Sequence, residues 1–301
     1  MKFLGKEIAS PFVLASGILG ISASSMLRAV RDGAGMVTTK SLSLTPRAGH
    51  DSPIIAEFDG GLTNSVGLTN PGIYEGLVEV EKYKRETDAP IIVSIFGRHI
   101  DDFAELAKLV NQSSADFIEL NLSCPNVEDE FSRPFALDIH KVGKIVASVS
   151  RVTTIPFLTK LSPNAPNIID IAKHAEEKGS HGATLINTLG HGMVIDIYTA
   201  KPVLKNHFGG ISGPAIKPLA VKIVHDAYKR LNTPIIGTGG VTTGNDAIEM
   251  LMVGATTVGV GTAVYYRGVD VFKALDNELN AFIQQSEFTH WSELIGRVHR
   301  D

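Results

Sequence analysis

The chain has 301 residues, 44% of them hydrophobic, and a formal net charge of −4. That is enough apolar sequence for a large core, and the weakly acidic balance excludes the basic footprint of a nucleic-acid binder. No run reaches the roughly 18 apolar residues of a membrane span, no long apolar stretch follows Met1, and one cysteine excludes a disulfide framework. A soluble cytoplasmic protein without nucleic-acid or membrane partners is therefore expected.

Strand-like apolar runs alternate with amphipathic helical runs along the whole chain. Residues 2–8 are too short for such a unit and read as a small hairpin. Strand 12–17 leads to a helix over 24–34, and strand 36–40 leads through a long insertion to a helix over 73–87. Strand 90–97 precedes a helix over 101–111, and strand 117–123 precedes a long loop and a helix over 138–150. Strand 156–161 is followed by a helix over 168–178, and strand 183–188 by an insertion and a helix over 215–230. The last two strands, 234–240 and 257–263, precede helices over 245–253 and 269–285.

Continuous apolar strands separated by helices indicate a parallel sheet buried on both faces. Eight such units predict a closed (β/α)8 TIM barrel; an open doubly wound sheet, with about five or six strands, is the lesser alternative. No linker or composition break divides the chain, so residues 1–301 are expected to form one domain. The insertions at 41–72 and 189–213 follow strands, which puts them on the C-terminal, catalytic face, and they read as long loops without structure of their own. A third long loop, 125–137, is charged and is expected to close over the pocket.

Polar residues gather where the strands end: Ser16, Lys40, Ser94, Asn121, Lys160, Asn187 and Thr188. Alternate residues of a barrel strand point inward, so these side chains can converge on one pocket. A buried lysine needs an anion or a hydrogen-bonding ligand, although Lys160 could instead pair with Glu119. The last two strands end in Gly237-Thr-Gly-Gly240 and Gly259-Val-Gly-Thr262, a pattern suited to phosphate binding through backbone N–H groups. The single cysteine, Cys124, follows a strand and lies between Asn121 and Asn126. A lone cysteine is often only a small buried hydrophobe, but polar neighbours favour a functional thiol. There is no second cysteine and no paired-histidine motif, so no metal site is expected. Of the histidines only His191 falls in a loop near the pocket, and as a loop residue it reads as solvated. A Schiff-base role for Lys160 is conceivable, but it gives Cys124 and the asparagines nothing to do.

These residues resemble a known family. Asn121-Leu-Ser-Cys-Pro-Asn126 is similar to the catalytic loop of the cytosolic, class 1 dihydroorotate dehydrogenases. So are Asn64-Ser-Val-Gly-Leu-Thr-Asn-Pro-Gly72, Lys160-Leu-Ser-Pro-Asn164, Ile186-Asn-Thr188, Lys201-Pro-Val-Leu204 and Gly209-Gly-Ile-Ser-Gly-Pro-Ala-Ile-Lys-Pro218. The resemblance runs in order from about residue 11 to 262. It implies an FMN-containing barrel that oxidises (S)-dihydroorotate to orotate in pyrimidine synthesis, with Cys124 as the base. Lys40, Asn64, Ser65, Val66, Gly67, Leu68, Asn121, Asn187 and Thr188 would hold the substrate, with Asn126 adding a contact. Ser16, Lys40, Ser41, Asn121, Lys160, Ile186, Gly213, Gly239, Gly240, Gly261 and Thr262 would hold FMN, and Ser94 sits where many relatives place a flavin-contacting polar residue.

The run from Asn187 and the segment from Lys201 lean toward the NAD-linked branch of that family. Its members pair with a second subunit carrying FAD and an iron–sulfur cluster, so a homodimer or heterotetramer is expected. Two departures leave the acceptor open between NAD⁺, fumarate and a quinone. The residues after Asn126 lack the glycine pair common in that branch, and the run Leu189-Gly-His-Gly-Met193 differs from the usual spacing. The competing readings are a dehydrogenase of another dihydropyrimidine, a tRNA dihydrouridine synthase and a non-catalytic flavin-binding subunit. The first usually carries histidine and glycines after Ser-Cys-Pro, the second needs a basic face, and the third would not need Cys124 and both lysines.

Overall fold

A computed structural model describes residues 1–122 and 135–300. Cys124, Asn126 and most of the 125–137 segment expected to close over the pocket lie outside the described residues.

The chain opens with an antiparallel hairpin, β1 (Lys2–Phe3) and β2 (Lys6–Glu7). Next come β3 (Phe12–Leu14), α1 (Ala23–Arg31), β4 (Met36–Thr38), β5 (Ile55–Phe58), β6 (Gly61–Asn64), α2 (Ile73–Glu86), β7 (Ile91–Ile95), α3 (Ile100–Val110) and β8 (Phe117–Asn121). The second half holds α4 (Ile139–Ser150), β9 (Phe157–Lys160), α5 (Ile168–Glu177) and β10 (Gly182–Leu185). Four short strands follow: β11 (Leu189–Gly192), β12 (Ile195–Asp196), β13 (Lys201–Pro202) and β14 (Gly209–Ser212). The chain then runs through α6 (Lys217–Tyr228), β15 (Ile235–Thr238), α7 (Gly244–Met252), β16 (Thr257–Val260), α8 (Ala263–Arg267) and α9 (Val271–Gln284).

Eight parallel strands close a barrel in the order β3-β4-β7-β8-β9-β10-β15-β16, with β16 returning to pair with β3. The (β/α)8 barrel predicted from the eight strand–helix units is thus observed. Every residue of β7 and β8 is buried, as a strand must be when side chains fill the barrel inside and helices cover it outside. The helices supply that cover through one apolar stripe. In α3, Phe103, Leu106, Ala107 and Val110 are buried, the i, i+3, i+4, i+7 spacing of a single face. Burying a side chain such as Phe103 contributes about 1.5–3 kcal/mol.

The predicted hairpin caps the N-terminal end of the barrel. Phe3 packs edge-on against Phe117, at the start of β8, with ring centroids 5.5 Å apart. Lys6 Nζ lies 2.7 Å from the buried carboxylate of Asp116.

The insertions differ from expectation. They are not loops without structure: β5, β6, β14 and β11 form a four-stranded antiparallel sheet, and β12 and β13 form a separate hairpin. The sheet joins two insertions far apart in the chain, with Asn64 opposite Gly210. Strands of two to four residues are too short for a periodic signal, and β14 begins with two glycines, which read as a turn. Helix α8 was also missed, since its five residues carry no helical repeat. No helix among the described residues is long and apolar enough to cross a membrane.

Candidate active site

Strands of a parallel barrel end on the same face, so their last residues meet. A cavity of about 400 Å³ lies there, within the usual range for a small-molecule or cofactor site. The inserted sheet forms part of its wall through Ile55, Leu62, Asn64 and Ser212.

One side is polar and cationic. Ser16, Lys40, Ser41, Asn121 and Lys160 line it, from the ends of β3, β4, β8 and β9. Both lysines are deeply buried, 8% exposed at Lys40 and 6% at Lys160. Lys160 Nζ lies 3.8 Å from Glu119 Oε1. That is a charge contact beyond hydrogen-bond range, so the ion pair raised from the sequence and a place on the cavity wall hold together. Asn121 Nδ2 donates to Ser41 Oγ at 2.9 Å, and the Ser41 and Ser94 hydroxyls are 2.9 Å apart. Ser94 Oγ donates to Glu119 Oε1 at 3.1 Å, and Thr184 Oγ1 donates to Glu119 Oε2 at 2.9 Å. Ser94 is fully buried behind Ser41 and does not line the cavity.

The opposite side is built from Gly213, Gly239, Gly240, Gly261 and Thr262. Among the described residues no acceptor takes the backbone N–H of Gly239, Gly240, Gly261 or Thr262. Four such donors on adjacent strand ends form a ready anion cradle. Thr238 Oγ1, buried on the same wall, also lacks a partner among the described residues. Gly240 has φ +75°, and a Cβ there would lie 2.6 Å from Lys217 Cβ. Only glycine fits that position without strain. Lys217 braces the cradle from behind, with Nζ 2.8 Å from Asp246 Oδ1. Asp246 Oδ2 also accepts the backbone N–H of Thr242 at 3.0 Å and of Thr243 at 2.8 Å. Burial alone would raise the Asp246 pKa, but the Lys217 hydrogen bond and these donors outweigh it and bring it to about 2.

Between the two sides the walls are apolar, with Ile18, Val66, Leu68, Ile186, Ile216 and Tyr265 among them. Leu68 has φ +56°, an uncommon left-handed conformation for leucine. Asn70 holds it there: its Nδ2 donates to Leu68 O at 2.9 Å while its Oδ1 accepts from Gly72 N, also at 2.9 Å.

Most of the sequence-derived positions therefore converge. Val66, Gly67, Asn187 and Thr188 line the cavity as well. Ser65 does not: it is buried with its hydroxyl 2.9 Å from His50 Nδ1. His191 is exposed and packs against Phe208, with ring centroids 5.0 Å apart. Sequence reasoning missed Ile18, Ile55, Val264 and Tyr265, which are apolar residues from short or irregular segments. It also missed Asn70, although Asn70 sits inside a quoted motif just before a proline and a glycine.

A barrel whose mouth joins buried lysines and amides to backbone donors across apolar walls has the make-up of an enzyme site. The sequence profile described as dihydroorotate dehydrogenase matches residues 1–283. The chain is 43% identical over 293 residues to the protein named dihydroorotate dehydrogenase B (NAD(+)), catalytic subunit, of Methanothermobacter thermautotrophicus, covering 97% of this chain and 96% of that one. Proteins of the same name from Methanocaldococcus jannaschii and Pyrococcus furiosus are 42% and 40% identical. Those matches cover 98% and 100% of this chain, and 96% and 98% of theirs. The chain belongs to the dihydroorotate dehydrogenase family, a flavin-dependent family, and its likeness is to the NAD-linked branch.

Proposed function

We propose that this chain oxidises (S)-dihydroorotate to orotate with FMN as the resident cofactor, and that residues 1–301 act as one cytoplasmic domain. The observation that carries the reading is the pairing, in one cavity, of backbone N–H groups at Gly239, Gly240, Gly261 and Thr262 that have no acceptor among the described residues with two buried lysines. The first set suits the FMN phosphate. The second suits a ring system that becomes more negative on reduction. Ser16, Lys40, Ser41, Asn121, Lys160, Ile186 and Gly213 complete the flavin contacts, with Ser94 supporting Ser41. A flavin bound there supplies the acceptor for the hydride that leaves C6 of dihydroorotate.

The chain's own residues do the rest. Cys124, as thiolate, removes the proton from C5; the ordinary thiol pKa of about 8.5 is close enough to neutral for a thiol to serve as the base. Asn64, Val66, Gly67, Leu68, Asn187 and Thr188, with Lys40, Asn121 and Asn126, hold the substrate, while Ser65 stays behind them against His50; the amides match the substrate's carboxylate and ring N–H groups. Electrons then pass to NAD⁺ through a partner subunit carrying FAD and an iron–sulfur cluster, in a heterotetramer built on a homodimer of this chain. A single cysteine cannot ligate such a cluster within the chain.

The test is spectroscopic. The purified chain is expected to hold one FMN and no FAD, and anaerobic dihydroorotate is expected to bleach it while dihydrouracil does not. A protein that stays colourless after reconstitution with FMN would overturn the cofactor reading. Bleaching by dihydrouracil in preference to dihydroorotate would overturn the substrate.

A further inference from the structure

Glu119 is 2% exposed and does not line the cavity. Its carboxylate nevertheless reaches three barrel strands: Ser94 on β7, Lys160 on β9 and Thr184 on β10. An ionised carboxylate only accepts hydrogen bonds, and this fixes the direction of everything attached to it. Ser94 must spend its one proton on Glu119. Ser41 then has two hydroxyls that can accept its proton, Ser94 at 2.9 Å and, at 3.3 Å, Ser16, which donates to Thr39 O; the shorter contact, to Ser94, takes it. With its own proton spent, Ser41 can only accept from Asn121, which forces the amide to present Nδ2 to Ser41, as it does at 2.9 Å. Reversing the amide would place two hydroxyl oxygens 2.9 Å apart with no proton between them. The carboxylate thus sets a one-way relay, Asn121 to Ser41 to Ser94 to Glu119, that turns the acceptor end of the Asn121 amide away from Ser41. The same carboxylate supplies the negative charge beside Lys160, at 3.8 Å.

We propose that Glu119 is a positioning residue for the flavin site, orienting the Asn121 amide through Ser41 and Ser94 and setting the net charge beside Lys160. It does not line the cavity and acts only through those neighbours. The proposal rests on the FMN reading above. Two effects follow and separate by variant. Glu119→Gln removes the charge and lets the relay run either way, since a glutamine amide both donates and accepts. Ser94→Ala keeps the charge and cuts the relay alone.

The experiment measures the flavin midpoint potential and the affinity for orotate, read from the flavin spectrum, in the FMN-loaded wild type and both variants. Glu119→Gln is expected to raise the affinity for reduced over oxidised FMN at least about tenfold, a positive shift of about 30 mV for a two-electron couple, because Lys160 is no longer neutralised. Ser94→Ala is expected to leave the potential unchanged and to weaken orotate about tenfold through a disordered Asn121. A loosened scaffold moves neither the potential in that direction nor one property without the other. An unchanged potential in folded Glu119→Gln, or an unchanged orotate affinity in Ser94→Ala, overturns the proposal. If Glu119→Gln does not fold, Ser94→Ala decides alone. Wild-type protein that takes up no FMN would overturn the cofactor reading and this proposal with it; normal wild-type bleaching with unchanged variants sinks the role of Glu119 only.

Discussion

Lys160 has a carboxylate neighbour at 3.8 Å yet no hydrogen bond to it. A wholly structural lysine would close that gap, since a buried ammonium gains most from a full donor contact. The spacing leaves its charge balanced and its N–H groups usable on the cavity side. In the proposed reaction the proton chemistry falls to Cys124, three residues beyond Asn121 in sequence. Cys124→Ala is expected to keep FMN but slow flavin reduction by dihydroorotate on the order of 10²- to 10⁴-fold, the usual loss on removing a general base. Cys124→Ser is expected to keep part of the activity, displaced to higher pH, because a hydroxyl ionises less readily than a thiol. Stopped-flow reduction across a pH series measures both, and an alanine variant with wild-type rates would assign the base elsewhere. At this scale the sequence was legible at several strand ends, such as Asn121 and Lys160, because a polar group at that position is costly unless something meets it, but not at Thr238, which also ends a strand on the cavity wall. The inert-looking contributors stayed hidden. Tyr265 and Ile18 are ordinary apolar residues until the fold turns them toward the cavity, and the relay behind Asn121 needs the barrel register of β4, β7 and β8 before Ser94 meets Ser41.

Helix α7 begins behind the anion cradle, where Thr243 and Asp246 form a reciprocal cap and Asp246 also holds Lys217. This corner fixes the backbone that leaves Gly240, so its stability bears directly on the cradle. The Asp246 pKa of about 2 lies below the ordinary aspartate value of 3.8. A folded-state pKa depressed in this way contributes stability that is fully present above the unfolded value and is lost as pH falls through the folded one. Asp246→Ala is therefore expected to lower stability by on the order of 1–2 kcal/mol at neutral pH, chiefly through the lost cap and ion pair. The difference from wild type is expected to shrink as pH falls from about 4 toward 2, where the wild-type carboxyl also becomes neutral. Urea denaturation at several pH values measures it, and a gap that stays constant down to pH 2 would show that the charge is not what matters. The main helices and barrel strands were legible because each repeats a pattern over several residues, as in the apolar face of α3. The inserted sheet was not: β14 pairs with β6 across almost half the chain, and nothing local marks a four-residue strand that begins with two glycines.

Closure of β16 onto β3 ties the two ends of the chain into one ring of hydrogen bonds, and the cavity draws its walls from both halves of that ring. Both halves of the barrel thus contribute to this cavity, which bears on the electron acceptor. Reducing NAD⁺ directly would require a second place for a dinucleotide, and such places open on a Gly-x-Gly-x-x-Gly turn between a strand and a helix. The glycine-rich strand ends here, at β15 and β16, already face the cavity as its anion cradle. The relatives named as NAD(+)-linked catalytic subunits agree with a division of labour in which the dinucleotide belongs to another chain. The isolated chain is accordingly expected to be reduced quickly by dihydroorotate and to pass electrons only slowly to NAD⁺. Steady-state assays of the chain alone with NAD⁺, fumarate and a quinone analogue distinguish the cases. Rapid NAD⁺ reduction without a partner would mean that the dinucleotide reaches the flavin in this barrel, and rapid fumarate reduction would move the chain to a branch that works without a second subunit.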